Sequence, residues 1–333
     1  MEIVEESYSF KDLGDLIKYA EKYKSSRRKR QRTSYNQQTE VAVAHYNVDM
    51  ERLVGCIHPL KKLNKLVGMD EVKKNIVDQI LFFSQDLNTN EMMHTCLTGP
   101  PGVGKTTLGK ILAELYCSLG FLETDNFRVV SAADLIAGYV GQTALKTNKV
   151  LKGCIGGVLF VDEAYSLGGG EDESQGFSKE CIDCINKFLS ENTKNFIMII
   201  AGYQEELDRC FFSLNKGLKR RFPWNYNIEK YTPDNLIDIF KYQVHENGWE
   251  LEAGVDNEHL KKLFTEYSIF DNNGGDTLLL FDKAKICHSR RVFGKKRRFK
   301  MVINNTDLRL AAELLKSNKN SKKVKDPPYG MYL

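Results

Sequence analysis

LTGPPGVGKTT, Leu97 to Thr107, sets the frame for the whole chain. Gly99, Gly104, Lys105 and Thr106 satisfy the spacing G-x-x-x-x-G-K-[ST], with an apolar run, HTCLTG, before the loop and a helix-forming run, LGKILAELY, after it. Strand, glycine loop and helix in that order make a phosphate cradle. The glycines let backbone N–H groups face an anion, and the positive end of the following helix favours it. Lys105 is placed to neutralise β and γ oxygens, and Thr106 to offer its hydroxyl to magnesium. The expected nucleotide contacts are Gly99, Pro100, Pro101, Gly102, Val103, Gly104, Lys105, Thr106 and Thr107.

A phosphate grip becomes a hydrolase when carboxylates stand beside it. VLFVDEAY supplies them at the end of a buried strand: Asp162 to hold magnesium through water and Glu163 to polarise the attacking water. The chain has no N/T-K-x-D run of the kind that reads guanine, so ATP is the expected nucleotide.

Outward from these motifs, the runs HTCLTG, FRVV, GGVLFVDEAY and NFIMIIAGY alternate with helical segments, which predicts a parallel sheet covered on both faces. Beyond Tyr231 the periodicity is helical, with Thr232 as N-cap and Pro233 at the first helical position. At the other end, Phe10, Leu13, Leu16, Ile17, Ala20 and Tyr23 make one helical stripe, followed by a basic cluster and a polar, linker-like stretch, QRTSYNQQTE.

Composition narrows the class. A chain of 333 residues with 42% hydrophobic and 28% charged residues is ordinary for a globular protein. It has no signal-like N-terminus and no apolar run of the roughly 20 residues that span a bilayer, so an intracellular, soluble protein without a membrane partner is expected. The eight cysteines read as reduced thiols, with Cys181 and Cys184 as small fillers on a helix. The six histidines lack ligand spacing. Net charge is only +4, yet Lys22–Arg32, Gly294–Lys300 and Lys316–Lys325 are basic runs suited to nucleic-acid phosphates or to a nuclear address.

Four motifs in order, LTGPPGVGKTT, AGYVGQTALKTNKVLKGCIGGVLFVDEAYSLG, IMIIAGY and NKGLKRRF, resemble the AAA+ ATPases grouped with red-type Rubisco activase (CbbX, or CfxQ) and stage V sporulation protein K. The resemblance spans roughly Leu60 to Gly294. It implies an α/β fold, a P-loop NTPase αβα sandwich with a parallel sheet followed by a small all-helical lid domain. It also implies ATP and Mg2+ as ligands and a ring, usually a hexamer, whose pore remodels a protein client. The expected domains are 1–59, an N-terminal helical and basic extension with linker; 60–227, the ATPase core; 228–315, the lid; and 316–333, a flexible basic tail.

The same resemblance implies roles for particular residues. Val67 and Gly68 in LVGMDEV would line the adenine pocket, and Arg221 in GLKRRF, with Arg220 as the alternative, would be a finger into a neighbouring subunit's site. Tyr139 and Val140 match a pore loop that grips polypeptide by contact area. LGGGEDESQG is placed as a second pore loop, and Tyr203 is the polar candidate at the first sensor position.

One departure concerns NNGGDTLLLFDKAK, where Asp276 stands in place of a sensor arginine and reads as a helix N-cap, with Lys283, Lys285 or Arg290 as compensating cations. Two other readings follow from the residues. Basic ends suit a nucleic-acid-directed motor or loader, whose binding would fall steeply with salt. Asp276 and Tyr203 together suit a scaffold that binds ATP without turnover.

Overall fold

The computed structural model describes residues 10, 12–34, 48–85, 87, 92–139, 141–168, 174–215, 217–267, 270–296 and 299–323. The chain divides into two units: one runs to Gly99 and resumes over Lys105–Ile228, and the other combines Pro100–Gly104 with the chain from Glu229 onward.

Among the described residues of the first unit, four helices precede the sheet: α1 (Leu13–Ser34), α2 (Met50–Gly55), α3 (Ile57–Lys65) and α4 (Asp70–Ser84). The predicted stripe is the inner side of α1, where Leu13, Leu16, Ile17 and Ala20 are buried. α1 continues through the basic cluster into the stretch expected to be linker, since Arg, Lys and Gln sustain a helix and neither glycine nor proline interrupts them. Asp49 caps α2, accepting from the Glu51 and Arg52 N–H groups. The division expected between residues 59 and 60 falls inside α3, whose first turn tolerates Pro59 because an N–H there has no intrahelical acceptor.

Five strands follow: β1 (Thr95–Thr98), β2 (Phe127–Val130), β3 (Val158–Val161), β4 (Ile197–Gly202) and β5 (Trp224–Asn227). All neighbours are parallel, in the order β2-β3-β4-β1-β5. α5 (Lys105–Ser118) follows β1, α6 (Ala132–Leu135) and α7 (Thr143–Lys152) follow β2, α8 (Ser174–Glu191) follows β3, and α9 (Gln204–Glu206) follows β4. Every residue of β1, β3 and β4 is buried, as a sheet covered on both faces requires.

Alternation along β3 divides the layers. Leu159 and Val161 join the cluster that Val150, Leu151, Cys181, Ile182 and Ile185 contribute from α7 and α8. Phe160 points the other way, toward α5, so closely that a Cβ on Gly109 would lie 2.7 Å from its ring. Cys181 fills this core as expected, takes the Thr147 hydroxyl at 3.5 Å, and has its thiol pushed up to about 11 by burial. β5 escaped the sequence reading because WNYN has no apolar run: it is an edge strand, and of its side chains only Tyr226 is buried, donating to Gln79 Oε1 at 2.8 Å.

The second unit is built from α10 (Pro233–Glu246), α11 (Asn257–Tyr267), α12 (Gly274–Val292) and α13 (Asn305–Lys323), with one short parallel pairing of β6 (Glu250–Leu251) to β7 (Val302–Ile303). Thr232 caps α10 as predicted, its hydroxyl accepting from the Asn235 N–H at 3.2 Å ahead of Pro233. Phe240, Phe264, Phe281, Leu260 and Leu308 form the core. Arg291 and His288 on α12 converge on the buried Asp307 of α13: Arg291 donates Nε and Nη2 at 2.9 Å to the carboxylate, and His288 Nε2 donates to the Lys300 carbonyl at 2.9 Å. α13 extends into the segment expected as tail because no glycine or proline stops it before Pro327. Among the described residues no helix is long and apolar enough to cross a membrane.

Candidate functional site

β1, β4 and β3 are neighbours in register, with Thr98 opposite Gly202 and Val161 opposite Ile200. The residues that leave these strands, Gly99, Tyr203 and Asp162, therefore emerge along one edge, the carboxyl edge at which open α/β sheets bind ligands. Gly99 turns at φ +145°, and a Cβ there would lie 2.4 Å from the Ile228 carbonyl oxygen, so only glycine lets the chain leave β1 at this angle.

Lys105 opens α5 and donates to the Gly99 carbonyl at 2.9 Å, while its ammonium sits 5.6 Å from the centroid of the Tyr203 ring. Burial lowers its proton affinity, and the carboxylates of Asp162 and Glu163 oppose that shift. Thr106 Oγ1 donates to Asp162 Oδ2 at 3.3 Å, so helix start and strand end present two hard oxygens side by side. The Glu163 N–H donates to Asp162 Oδ1 at 3.1 Å, and Glu163 itself, exposed, takes the left-handed conformation at φ 49° and ψ 47°. Within the first unit the structure thus brings together Lys105, Thr106, Asp162, Glu163 and Tyr203.

The middle of the loop belongs to the second unit, where its carbonyls are gripped. Pro101 O accepts from Asn273 Nδ2 at 3.0 Å, Gly102 O from the Gly274 N–H at 3.1 Å, and Val103 O from the Tyr231 hydroxyl at 2.8 Å. Gly102, at φ +71°, lies so close that a Cβ would come within 1.9 Å of the Asn272 carbonyl oxygen. Asn273 also accepts the Tyr231 N–H at 3.1 Å and holds φ 50°, ψ −125°, a conformation that a side chain rarely adopts. With these carbonyls tied back, it is the N–H groups of Gly102 and Val103 that the loop can turn to an anion.

Asp276 does not cap α12 as the sequence reading expected. Asn273 occupies the cap, and Asp276, within the first helical turn, reaches back to accept the Asn272 N–H at 2.8 Å. A carboxylate three residues into a helix satisfies a donor upstream of the cap in this way. Of the cations named as substitutes for the sensor, Lys285 pairs with Asp282 at 2.6 Å and lies over the Phe281 ring. Lys283 is partly buried and Arg290 exposed on the same helix.

The remaining candidates lie elsewhere. Val67 and Gly68 form the turn between α3 and α4, with Gly68 and Met69 both at positive φ. Tyr139 is 73% exposed between α6 and α7; Val140 lies outside the described residues. So do residues 169–173 of the glycine-rich acidic stretch, whose end, from Ser174, begins α8. Arg221 precedes β5, and Trp224 pairs with Thr95 at the start of β1, the opposite end from the phosphate loop. Its guanidinium donates to Ser190 Oγ at 2.5 and 3.0 Å and to the Gly217 carbonyl at 2.8 Å, whereas Arg220 is exposed.

Three participants were missed from sequence. Asn273 and Tyr231 lie far along the chain from the loop they hold. Tyr165, inside the quoted VDEAY, carried no role until its ring was seen stacked on Tyr203.

The ATPase family associated with various cellular activities (AAA) matches residues 95–228. The cfxQ-like protein R730 of Acanthamoeba polyphaga mimivirus is 40% identical over 253 residues, 74% of this chain and 61% of that protein, so the chain spans about three fifths of that relative. The CfxQ homolog of Cyanidium caldarium is 34% identical over 238 residues, 69% of this chain and 82% of that protein. Among solved structures, the FIGL-1 AAA domain in complex with ADP superposes with a TM-score of 0.57 at 19% identity, covering 80% of this chain and 90% of that one. At that identity the likeness is one of fold.

Proposed function

The chain belongs to the AAA family of ATPases, in its CfxQ-like branch, and from that membership we propose that it hydrolyses ATP to ADP and phosphate and spends the energy on remodelling a protein client. The observation that carries the proposal is the assembly of Lys105, Thr106, Asp162 and Glu163 on one sheet edge.

In this reading the Lys105 ammonium exchanges the Gly99 carbonyl for phosphate oxygens, and the N–H groups from Gly102 to Thr107 cradle the rest of the triphosphate. Thr106 Oγ1 and Asp162 Oδ2, 3.3 Å apart, fit the all-oxygen preference of magnesium, which when bound there would neutralise charge on the phosphates. Glu163 takes the proton of the attacking water. Tyr203, its ring 5.6 Å from the Lys105 ammonium, would sense the terminal phosphate. Val67 and Gly68 would take the adenine.

Arg221 stands at the wrong end of β5 to serve the site of its own subunit, which supports a role in a neighbour's site and hence a ring, with six subunits the expected number. Tyr139 is 73% exposed, and a Cβ added at Gly138 or Gly141 would meet nothing within 4 Å among the described residues, which supports its engaging a polypeptide. Steady-state hydrolysis by the full chain, with and without an unfolded polypeptide, tests the reading: stimulation that disappears in Tyr139→Ala supports threading. A nucleic-acid-directed motor is favoured instead by the basic runs at the ends of α1 and α13. Stimulation by DNA alone, lost at higher salt and indifferent to Tyr139→Ala, would replace the first reading with the second.

A further inference from the structure

Arg221 donates Nε and Nη2 to Ser190 Oγ, at 3.0 and 2.5 Å, and Nη1 to the Gly217 carbonyl at 2.8 Å. Ser190 in turn donates its own hydrogen to the Asn186 carbonyl at 2.8 Å. A hydroxyl has one hydrogen and two lone pairs. With the hydrogen committed inside α8, both lone pairs remain for the guanidinium, so the rotation of the hydroxyl is set. Gly217 is fixed as well: its N–H donates to Asn215 Oδ1 at 2.9 Å, and the Asn215 amide donates to Asp183 Oδ1 of α8 at 3.0 Å.

Both supports are anchored in one core. α8 contributes Ile185, Phe188 and Leu189 to it, and the turn that carries Arg221 contributes Leu218 and Phe222. Close packing ties the two elements together, so the guanidinium is held from two directions by parts that do not shift independently. These bonds engage Nε and one N–H each of Nη1 and Nη2, and they leave a second N–H on each terminal nitrogen of a side chain that is only partly buried.

We infer that Ser190 is a positioning residue for Arg221: its hydroxyl fixes one edge of the guanidinium, so that the remaining N–H groups are presented to the nucleotide of a neighbouring subunit. The inference rests on the proposed reading of Arg221 as a finger in trans. A long side chain loses rotamer freedom when it engages a ligand, and donors already in place as charge develops in the transition state need no reorganisation at that moment. A held arginine and a loose one therefore differ chiefly in turnover.

The test compares the full-length wild-type chain with Ser190→Ala, which deletes the acceptor, Ser190→Thr, which keeps a hydroxyl, Arg221→Ala, and the double variant Ser190→Ala with Arg221→Ala. Hydrolysis rates, binding of a fluorescent ATP analogue and melting temperature are measured for all. We expect Ser190→Ala to lower kcat about tenfold, with KM, analogue affinity and melting temperature unchanged and no further loss in the Arg221→Ala background, because coupled groups are not additive. Ser190→Thr should restore most of the turnover. Wild-type turnover in Ser190→Ala beside an impaired Arg221→Ala overturns the inference and leaves the finger standing, as does an equal proportional loss with and without Arg221 or a loss that Ser190→Thr does not repair. A rise in kcat in Ser190→Ala would show that the hydroxyl restrains the arginine, and overturns it too. Wild-type turnover in Arg221→Ala removes the finger and the inference with it.

Discussion

Asn273 donates its side-chain amide to the Pro101 carbonyl at 3.0 Å, and in doing so joins a helix start to the phosphate loop 172 residues away in sequence. The same side chain accepts the Tyr231 N–H, so one buried residue in a strained conformation organises the second unit around the loop. Asn273→Ala leaves an N–H and a carbonyl without partners, and we expect it to destabilise the chain by about 1–3 kcal/mol. Urea unfolding checks this. Gly102→Ala should be at least as damaging, because its Cβ meets backbone and not a movable side chain.

Glu163→Gln preserves size and removes the base. Hydrolysis should fall by about 10²- to 10⁴-fold while ATP binding persists. Equilibrium binding alongside single-turnover rates separates the two, and an unchanged rate would remove Glu163 from the mechanism.

Arg221→Ala should cost on the order of 10³ in kcat if the finger acts in a neighbour's site. Mixing Arg221→Ala with Glu163→Gln chains, each inactive alone, should restore hydrolysis, since one partner supplies the arginine and the other the base. Absence of recovery at every mixing ratio would argue against a shared site. Arg220→Ala, an exposed cation, should change stability by less than about 0.5 kcal/mol.

His94 is 1% exposed, accepts the Met198 N–H through Nδ1, and is held neutral, its pKa pulled down to about 3 by burial with Arg221 adding to the effect. In the unfolded chain it returns to about 6.5. Between those values the unfolded chain binds the extra proton, so stability is complete above about pH 6.5 and falls as pH drops toward 3, with about 2 kcal/mol lost by pH 5. Unfolding free energies measured from pH 4 to 7 should show this slope in the wild type and a flatter one in His94→Gln.

Asp307 is buried against Arg291 and His288. Asp307→Ala removes the carboxylate from a partly exposed Arg291, which keeps its bond to the Val302 carbonyl, and a loss of about 1–3 kcal/mol is expected by denaturant titration. Replacing Arg291 together with Asp307 by apolar residues should cost less than the single change.

Much of this protein was legible in its residues. VLFV and IMIIAG read as buried parallel strands because a strand covered on both faces must be apolar throughout, and Gly99 to Thr107 read as a phosphate loop because helix start and glycines serve one purpose there. Those signals are local: period, turn chemistry and spacing are written within a dozen residues. What only the tertiary structure decided involves partners far apart in sequence. WNYN became a strand because β1 offered it an open edge, Asp276 turned back from the cap because Asn273 had taken it, and Tyr165 met Tyr203 because β3 and β4 are neighbours in the sheet. None of these has a periodicity to betray it, since each depends on which backbone groups the completed fold leaves unsatisfied and which surfaces it brings into contact.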